Sequence, residues 1–168
     1  MIAKEILAHV TKGELDKIFD AVVFTDFNGR RKHALVGFRD YSYSFTNNKT
    51  QTLKTQTEPS IVRAVFKWAD RALAAMPLPR NFEFAASHCL LTAYERGNAI
   101  GVHDDSDLKN RHNNVLSLSF GHKAIVGIAN AKFDVGHGDA ILFSGLSPHF
   151  VLPLRGCWRY NLSFRAWL

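Results

Sequence analysis

A chain of 168 residues, 46% of them hydrophobic, points to one ordinary globular domain with a full core. It shows no leader pattern and no apolar run of membrane-spanning length, and two cysteines, Cys89 and Cys157, make no disulfide framework. The expectation is a soluble intracellular protein, of cytoplasm or nucleus, and a formal charge of +6 leans toward a polyanionic partner.

Thr11-Lys12-Gly13-Glu14 has capping-box spacing ahead of Leu15, Ile18 and Phe19, which predicts a short N-terminal helix. Residues 21–27 read as a strand, and Asn28-Gly29 is the pair a tight hairpin turn prefers. The returning arm, residues 30–45, carries Arg30-Arg31-Lys32-His33 and then Tyr41-Ser42-Tyr43-Ser44-Phe45, whose aromatics alternate onto one face. Residues 46–57, polar and rich in Thr, Asn and Gln, read as a loop. Pro59 opens a helix with Ile61, Val62, Val65, Phe66, Ala69, Leu73 and Met76 on one stripe, and Pro77-Leu78-Pro79 ends it. Short β segments follow at 82–94, 100–103, 115–121, 124–129, 140–143, 150–152 and 158–167. Many short strands after two helical segments predict a mostly β, α+β domain: a jelly roll buttressed by helices, with a ligand at its mouth. Residues 1–80 would supply the buttress and hairpin, and residues 81–168 the core.

The last strand is the most patterned stretch. Arg159, Asn161, Ser163 and Arg165 share one face, and Trp158, Tyr160, Leu162 and Phe164 share the other. A solvated edge strand fits this pattern, and so does the wall of an anion-binding cavity. Upstream, His103 and Asp105 are two apart and so lie on one side of a strand, which is two thirds of a 2-His-1-carboxylate facial triad. His149, after the turn Ser144-Gly145-Leu146-Ser147-Pro148, starts the next strand and suits the third position, whereas His122 and His137 sit beside glycines and read as exposed. Such a triad commonly takes a bidentate 2-oxoacid and O2, with an arginine fork for the far carboxylate. Arg159 and Arg165 would hold the two ends of such a dicarboxylate.

Tyr94, His103-x-Asp105, Val115-Leu116-Ser117-Leu118-Ser119-Phe120-Gly121, His137-Gly138-Asp139, His149 and Arg159-Tyr160-Asn161-Leu162-Ser163-Phe164-Arg165 together resemble the AlkB family. The motifs run in the family's order over nearly the whole chain. The resemblance implies a double-stranded β-helix that acts as an Fe(II)/2-oxoglutarate-dependent dioxygenase. Many members remove methyl groups from nucleic-acid bases by hydroxylation, releasing formaldehyde. It implies His103, Asp105 and His149 as iron ligands, Arg159 on the far carboxylate of 2-oxoglutarate, and Arg165 near its chelating end. Tyr94 and Asn161 match cosubstrate-bonding positions, while Thr92 stands where Asn is common, which implies one weaker contact. Arg31, Phe38, Tyr41, Tyr43 and Asp107 match the substrate side, where His33 is the one histidine in the stacking region. The implied partner is DNA or RNA, single-stranded or with a flipped-out base, bound by a monomer; the alternative is the same chemistry on a protein or small molecule.

Overall fold

The structure, a computed structural model, describes residues 1–26, 31–45, 48–106 and 113–166, the side chains of 43–45 and 48–51 excepted. Ile2–Ala3 (β1) precedes helix α1, Lys12–Ala21, which starts where the sequence places it. Thr11 caps it: its hydroxyl accepts the Glu14 N–H, and the Glu14 carboxylate accepts the Thr11 N–H at 2.8 Å. The box satisfies donors that a first turn leaves without helical partners. Thr11→Ala is expected to cost about 1 kcal/mol, seen as a lower urea midpoint at unchanged slope.

The strands that follow are β2 (Thr25–Asp26), β3 (Arg31–Gly37), β4 (Ser42–Phe45) and β5 (Asn48–Gln56), before helix α2 (Pro59–Ala75). Then come β6 (His88–Glu95), β7 (Ile100–His103), β8 (Asn114–Gly121), β9 (Ala124–Ile128), β10 (Ala131–Val135), β11 (Asp139–Ser144), β12 (His149–Val151) and β13 (Trp158–Arg165). The larger sheet runs β1-β11-β8-β13-β6-β3-β5-β4, with β2 also on β3; the smaller runs β10-β9-β12-β7. Pairing is antiparallel except between β3 and β5. This is the helix-buttressed jelly roll expected of the pattern.

Alternation decides what each face of the larger sheet does. Leu162 and Phe164 of β13 are fully buried under the helices, in one core with Leu15, Phe19, Val65 and Phe66. Phe164 meets the Phe66 ring edge-on at 5.4 Å, and Tyr160 stacks on Phe19 at 3.7 Å. The opposite face turns toward the smaller sheet, where Tyr94 packs with Ala124 and Leu154. Arg159, Asn161 and Arg165 lie on that face and are 1%, 8% and 6% exposed. The solvated-edge reading is excluded, and β13 forms an inner wall.

Several elements depart from expectation. Residues 48–56 form a strand rather than a loop, because β5 pairs on both sides, with β4 and β3, and its threonines favour extended backbone without needing burial. Among its described side chains, only Leu53 is buried. The predicted segment 82–94 begins as irregular chain, and its strand starts at His88. The strand foreseen over 21–27 shrinks to β2, since Ala21 closes α1; Phe27 and the Asn28-Gly29 turn lie outside the described residues. Two further strands were not foreseen. β1 is two residues long, and β10 is an edge strand with one buried residue, Val135.

Candidate functional site

His103 ends β7 and His149 begins β12, and the two are directly paired across the smaller sheet. A direct antiparallel pair puts both side chains on one face, and here the rings lie 4.2 Å apart. Asp105 follows two residues after His103, its N–H donating to the Gly145 carbonyl at 2.7 Å. Its carboxylate oxygens lie 3.9 Å from His103 Nε2 and 3.6 Å from His149 Nε2. One donor atom from each of the three residues lies within 4.8 Å of the others.

The protonation pattern is set by the backbone. His103 Nδ1 lies 2.9 Å from the Gly101 carbonyl, and His149 Nδ1 lies 2.9 Å from the Ser147 carbonyl. A carbonyl only accepts, so each Nδ1 carries the proton and each Nε2 offers a lone pair to the centre. Burial lowers the pKa of His149 and keeps it neutral, against the pull of the Ser147 carbonyl and Asp105. Burial alone would raise the pKa of Asp105. The Arg165 guanidinium, whose Nη2 donates to Asp105 Oδ2 at 2.6 Å, outweighs it and holds the carboxyl below its usual range. Two imidazole Nε2 atoms and an ionised carboxylate brought this close together are a donor set that fits a first-row divalent ion.

Arg159, at the other end of β13, fits an anion. Its Nη2 donates to Ser119 Oγ at 2.8 Å and its guanidinium lies over the Tyr94 ring at 4.9 Å. Its Nε and Nη1 are buried without a hydrogen-bond partner among the described residues. Charged donors left this way are costly until an acceptor arrives. Burial lowers the Arg159 pKa, with Tyr94 opposing, and raises that of Tyr94. Arginine nonetheless stays charged at physiological pH.

The two arginines are six positions apart, about 20 Å of strand, and Nη2 of Arg165 is engaged by Asp105. Arg165 braces the carboxylate of the triad, and Arg159 presents the open fork. Asn161 lies between them, but both of its amide hydrogens are in use, to Ser117 Oγ at 2.7 Å and the Leu118 carbonyl at 2.9 Å.

No protein-family model matches the chain. The alpha-ketoglutarate-dependent dioxygenase AlkB of Escherichia coli (strain K12) is 27% identical over 124 residues, which cover 64% of this chain and 56% of that protein. The chain thus spans little more than half the length of that relative. The solved structure of OsALKBH1 superposes over 99% of this chain and 97% of its own, with a TM-score of 0.68 at 18% identity. The chain is AlkB-like. An oxidoreductase of the 2OG-Fe(II) oxygenase family from Burkholderia pseudomallei shares the fold at a TM-score of 0.62 and 14% identity, over 91% of this chain and 75% of its own. So does a prolyl hydroxylase from Trichoplax adhaerens, solved with a hypoxia-inducible-factor peptide, at 0.63 and 13% over 99% and 82%.

The AlkB-like chain does not gather its predicted substrate residues as it gathers the triad. Phe38 is 58% exposed, with one side of its ring on Phe66 at 4.5 Å. Tyr41 is half-buried against Leu35, Leu53 and Leu90 and anchors the β4–β5 ribbon. Arg31 directs Nη1 to the Ala99 carbonyl at 2.6 Å and Nε to His33 Nε2 at 3.0 Å. Asp107 and the Tyr43 side chain lie outside the described residues. His122 is exposed as expected, but His137 is half-buried. Its Nδ1 accepts the Gly121 N–H and its Nε2 faces the Val10 carbonyl at 2.7 Å, tying the N-terminal segment to β8.

His33 is 2% exposed, so it is a wall residue and not a surface stacking one. The signal was available: alternation along β3 separates His33 from its exposed neighbour Lys32, but the basic run hid it. Burial first, then Arg31 and Arg165, lower its pKa to about 3. The folded value lies below the unfolded one, so the unfolded chain binds the extra proton, and stability falls as pH drops from about 6.5 toward 3. Between pH 7 and 4.5 this residue is expected to remove about 2–3 kcal/mol. His33→Gln should lose that much less than the parent, read from urea midpoints at the two pH values.

Proposed function

We propose that the protein is an Fe(II)- and 2-oxoglutarate-dependent dioxygenase that removes N-alkyl groups from bases in DNA or RNA. The observation that carries the chemistry is the pairing of a His103-Asp105-His149 donor set, held by the smaller sheet, with a buried, half-unsatisfied Arg159 on the facing larger sheet. His103, Asp105 and His149 would hold the iron, and Arg159, beside Tyr94, the far carboxylate of 2-oxoglutarate. With these and O2 bound, the site supplies hydroxylation of the alkyl carbon, giving succinate, CO2 and, from a methyl group, formaldehyde.

The protein's own part is positional. Gly101 and Ser147 hold the Nδ1 protons of the two histidines, so their Nε2 atoms face inward unprotonated. Arg165 keeps Asp105 ionised. Tyr94, Ala124 and Leu154 form an apolar cluster that excludes water at the Arg159 end. The nucleic-acid reading is supported by the AlkB likeness, the charge of +6, and the exposed Lys32, Phe38 and Arg39 on or next to β3. A base in a duplex must first leave its stack to reach a site between two sheets, and an exposed aromatic gives it a surface to stack on.

Iron-loaded protein should be incubated with 2-oxoglutarate and a panel of N-methylated single-stranded DNA and RNA oligonucleotides. Succinate and formaldehyde are expected in equal amounts on at least one of them, with an apparent affinity that falls as salt rises. Succinate without formaldehyde on every oligonucleotide would move the substrate to a protein or small molecule. No succinate under any condition would overturn the oxygenase reading.

A further inference from the structure

We infer that Cys157 is a reversible modification site that forms a mixed disulfide with a small carboxylate-bearing thiol, a tripeptide of the glutathione type. His122 serves as its base, and three neighbouring cations select the partner. Neither the triad nor Arg159 takes part, so the inference is independent of the oxygenase reading.

Strand register brings the site together. On β13, Trp158 is paired with Glu95, the last residue of β6, and Arg159 with Gly121, the last of β8. The turns beyond these pairs, at 96–99, 122–123 and 154–157, therefore meet at one end of the larger sheet. Backbone bonds tie them. The His122 N–H donates to the Trp158 carbonyl at 3.1 Å, the Gly97 N–H to the Leu154 carbonyl at 2.8 Å, and the Leu154 N–H to the Asn98 carbonyl at 2.9 Å. Between the turns opens a cavity of about 940 Å³, lined by Arg96, Lys123, Arg155, His122, Cys157 and one acid, Glu95. The three basic side chains are exposed, and none has an ion-pair partner among the described residues. Three cations against one acid leave the cavity positive, which suits an anionic molecule of modest size.

Within the cavity the thiol and its base already face each other. His122 Nδ1 lies 3.2 Å from the Trp158 carbonyl, which only accepts, so that nitrogen carries the proton. Nε2 then holds a lone pair, and Cys157 Sγ lies 3.9 Å from it, within reach of an S–H donor. Gly156 makes room for the ring, since a Cβ there would overlap His122. A thiol beside a histidine and fixed positive charge is the setting in which thiolates form and react. The other thiol, Cys89, is 0% exposed. In the proposed step Nε2 takes the Sγ proton as Sγ attacks one sulfur of the small disulfide. The S–S bond of that disulfide breaks, the bond from Sγ to the attacked sulfur forms, and the other half leaves as a thiolate that recovers the proton from His122. The small disulfide is the oxidant, and excess free thiol reverses the exchange.

The test is intact-mass spectrometry of the reduced protein mixed with excess glutathione disulfide at pH 7 and low salt. One adduct per chain is expected, mapped by digestion to Cys157 and absent from Cys157→Ser. Rates are then compared for glutathione disulfide, neutral bis(2-hydroxyethyl) disulfide and cationic cystamine, each normalised to an unstructured cysteine peptide. The normalised rate should be at least about tenfold higher for glutathione disulfide than for cystamine, and the gap should shrink as salt rises. Changing Arg96, Lys123 and Arg155 together to Gln should erase that preference. His122→Gln should slow all three reactions about tenfold. A free thiol is a few per cent thiolate at pH 7, so assistance by a base is limited to roughly thirtyfold. No adduct, an adduct confined to Cys89, equal normalised rates for the three disulfides, or a parent-like rate in His122→Gln would each overturn the inference.

Discussion

Asp105→Ala is expected to abolish iron binding and, independently of iron, to lower the stability of the metal-free protein by about 3–5 kcal/mol. The two effects have separate causes in one side chain. As a member of the donor set, Asp105 contributes the only anionic ligand among three, and two imidazoles alone leave the ion's charge uncompensated. As the partner of Arg165, it neutralises a guanidinium that is 6% exposed, at 2.6 Å. Removing one member of a buried pair leaves the other desolvated, which costs more than the pair itself contributes. A loss of that size should appear as a melting temperature about 10 °C lower for a chain of this length. Replacing Arg165 by Met in the same background should restore much of the stability while leaving iron binding absent, which separates the two roles. A melting temperature within about 1 °C of the parent in Asp105→Ala would show that the pair is not held together in the dry interior.

That coupling marks the boundary of what the sequence can reveal. His103-x-Asp105 is legible because a strand's period of two puts both residues on one side, and His149 is legible because a Gly/Ser/Pro turn delivers it to a strand start. The same alternation divides β13 into an apolar and a polar face. It says nothing about whether the polar face meets water or a second sheet. That is decided by contacts between residues far apart in the chain, such as Arg165 with Asp105, 60 residues away, or Arg159 with Ser119, 40 away. β5 was misread for a related reason. Its threonines and glutamine satisfy backbone pairing on two sides without an apolar stripe, and hydropathy sees only the stripe. His33 was placed in the stacking region, and His137 was read as exposed from its glycine neighbours, yet each is fixed by a partner on a distant element, Thr92 or Val10. The histidines of the triad are oriented by carbonyls two residues away, but the arginine that braces Asp105 comes from 60 residues on.

Arg159→Met should show the opposite stability pattern to Asp105→Ala. Arg159 is 1% exposed, with two nitrogens lacking acceptors among the described residues, so its charge is held in the fold at a cost. Methionine fills much of the same space without charge, and the metal-free, cosubstrate-free variant is expected to melt at or above the parent temperature. Cosubstrate binding should fail at the same time. Two charge-assisted bonds from a planar fork, each worth about 1.5–3 kcal/mol, correspond to a loss of about 10²–10⁴-fold in 2-oxoglutarate affinity. In the parent, 2-oxoglutarate at a hundred times its dissociation constant should add about 2.7 kcal/mol of stability, and in Arg159→Met that increment should vanish. Differential scanning fluorimetry with and without Fe(II) and 2-oxoglutarate reads both quantities. A variant that is less stable when empty and still stabilised by 2-oxoglutarate would make Arg159 a structural cation and move the carboxylate site elsewhere on the wall. A gain when empty with loss of the ligand response ties the unsatisfied nitrogens of Arg159 to the anion they await.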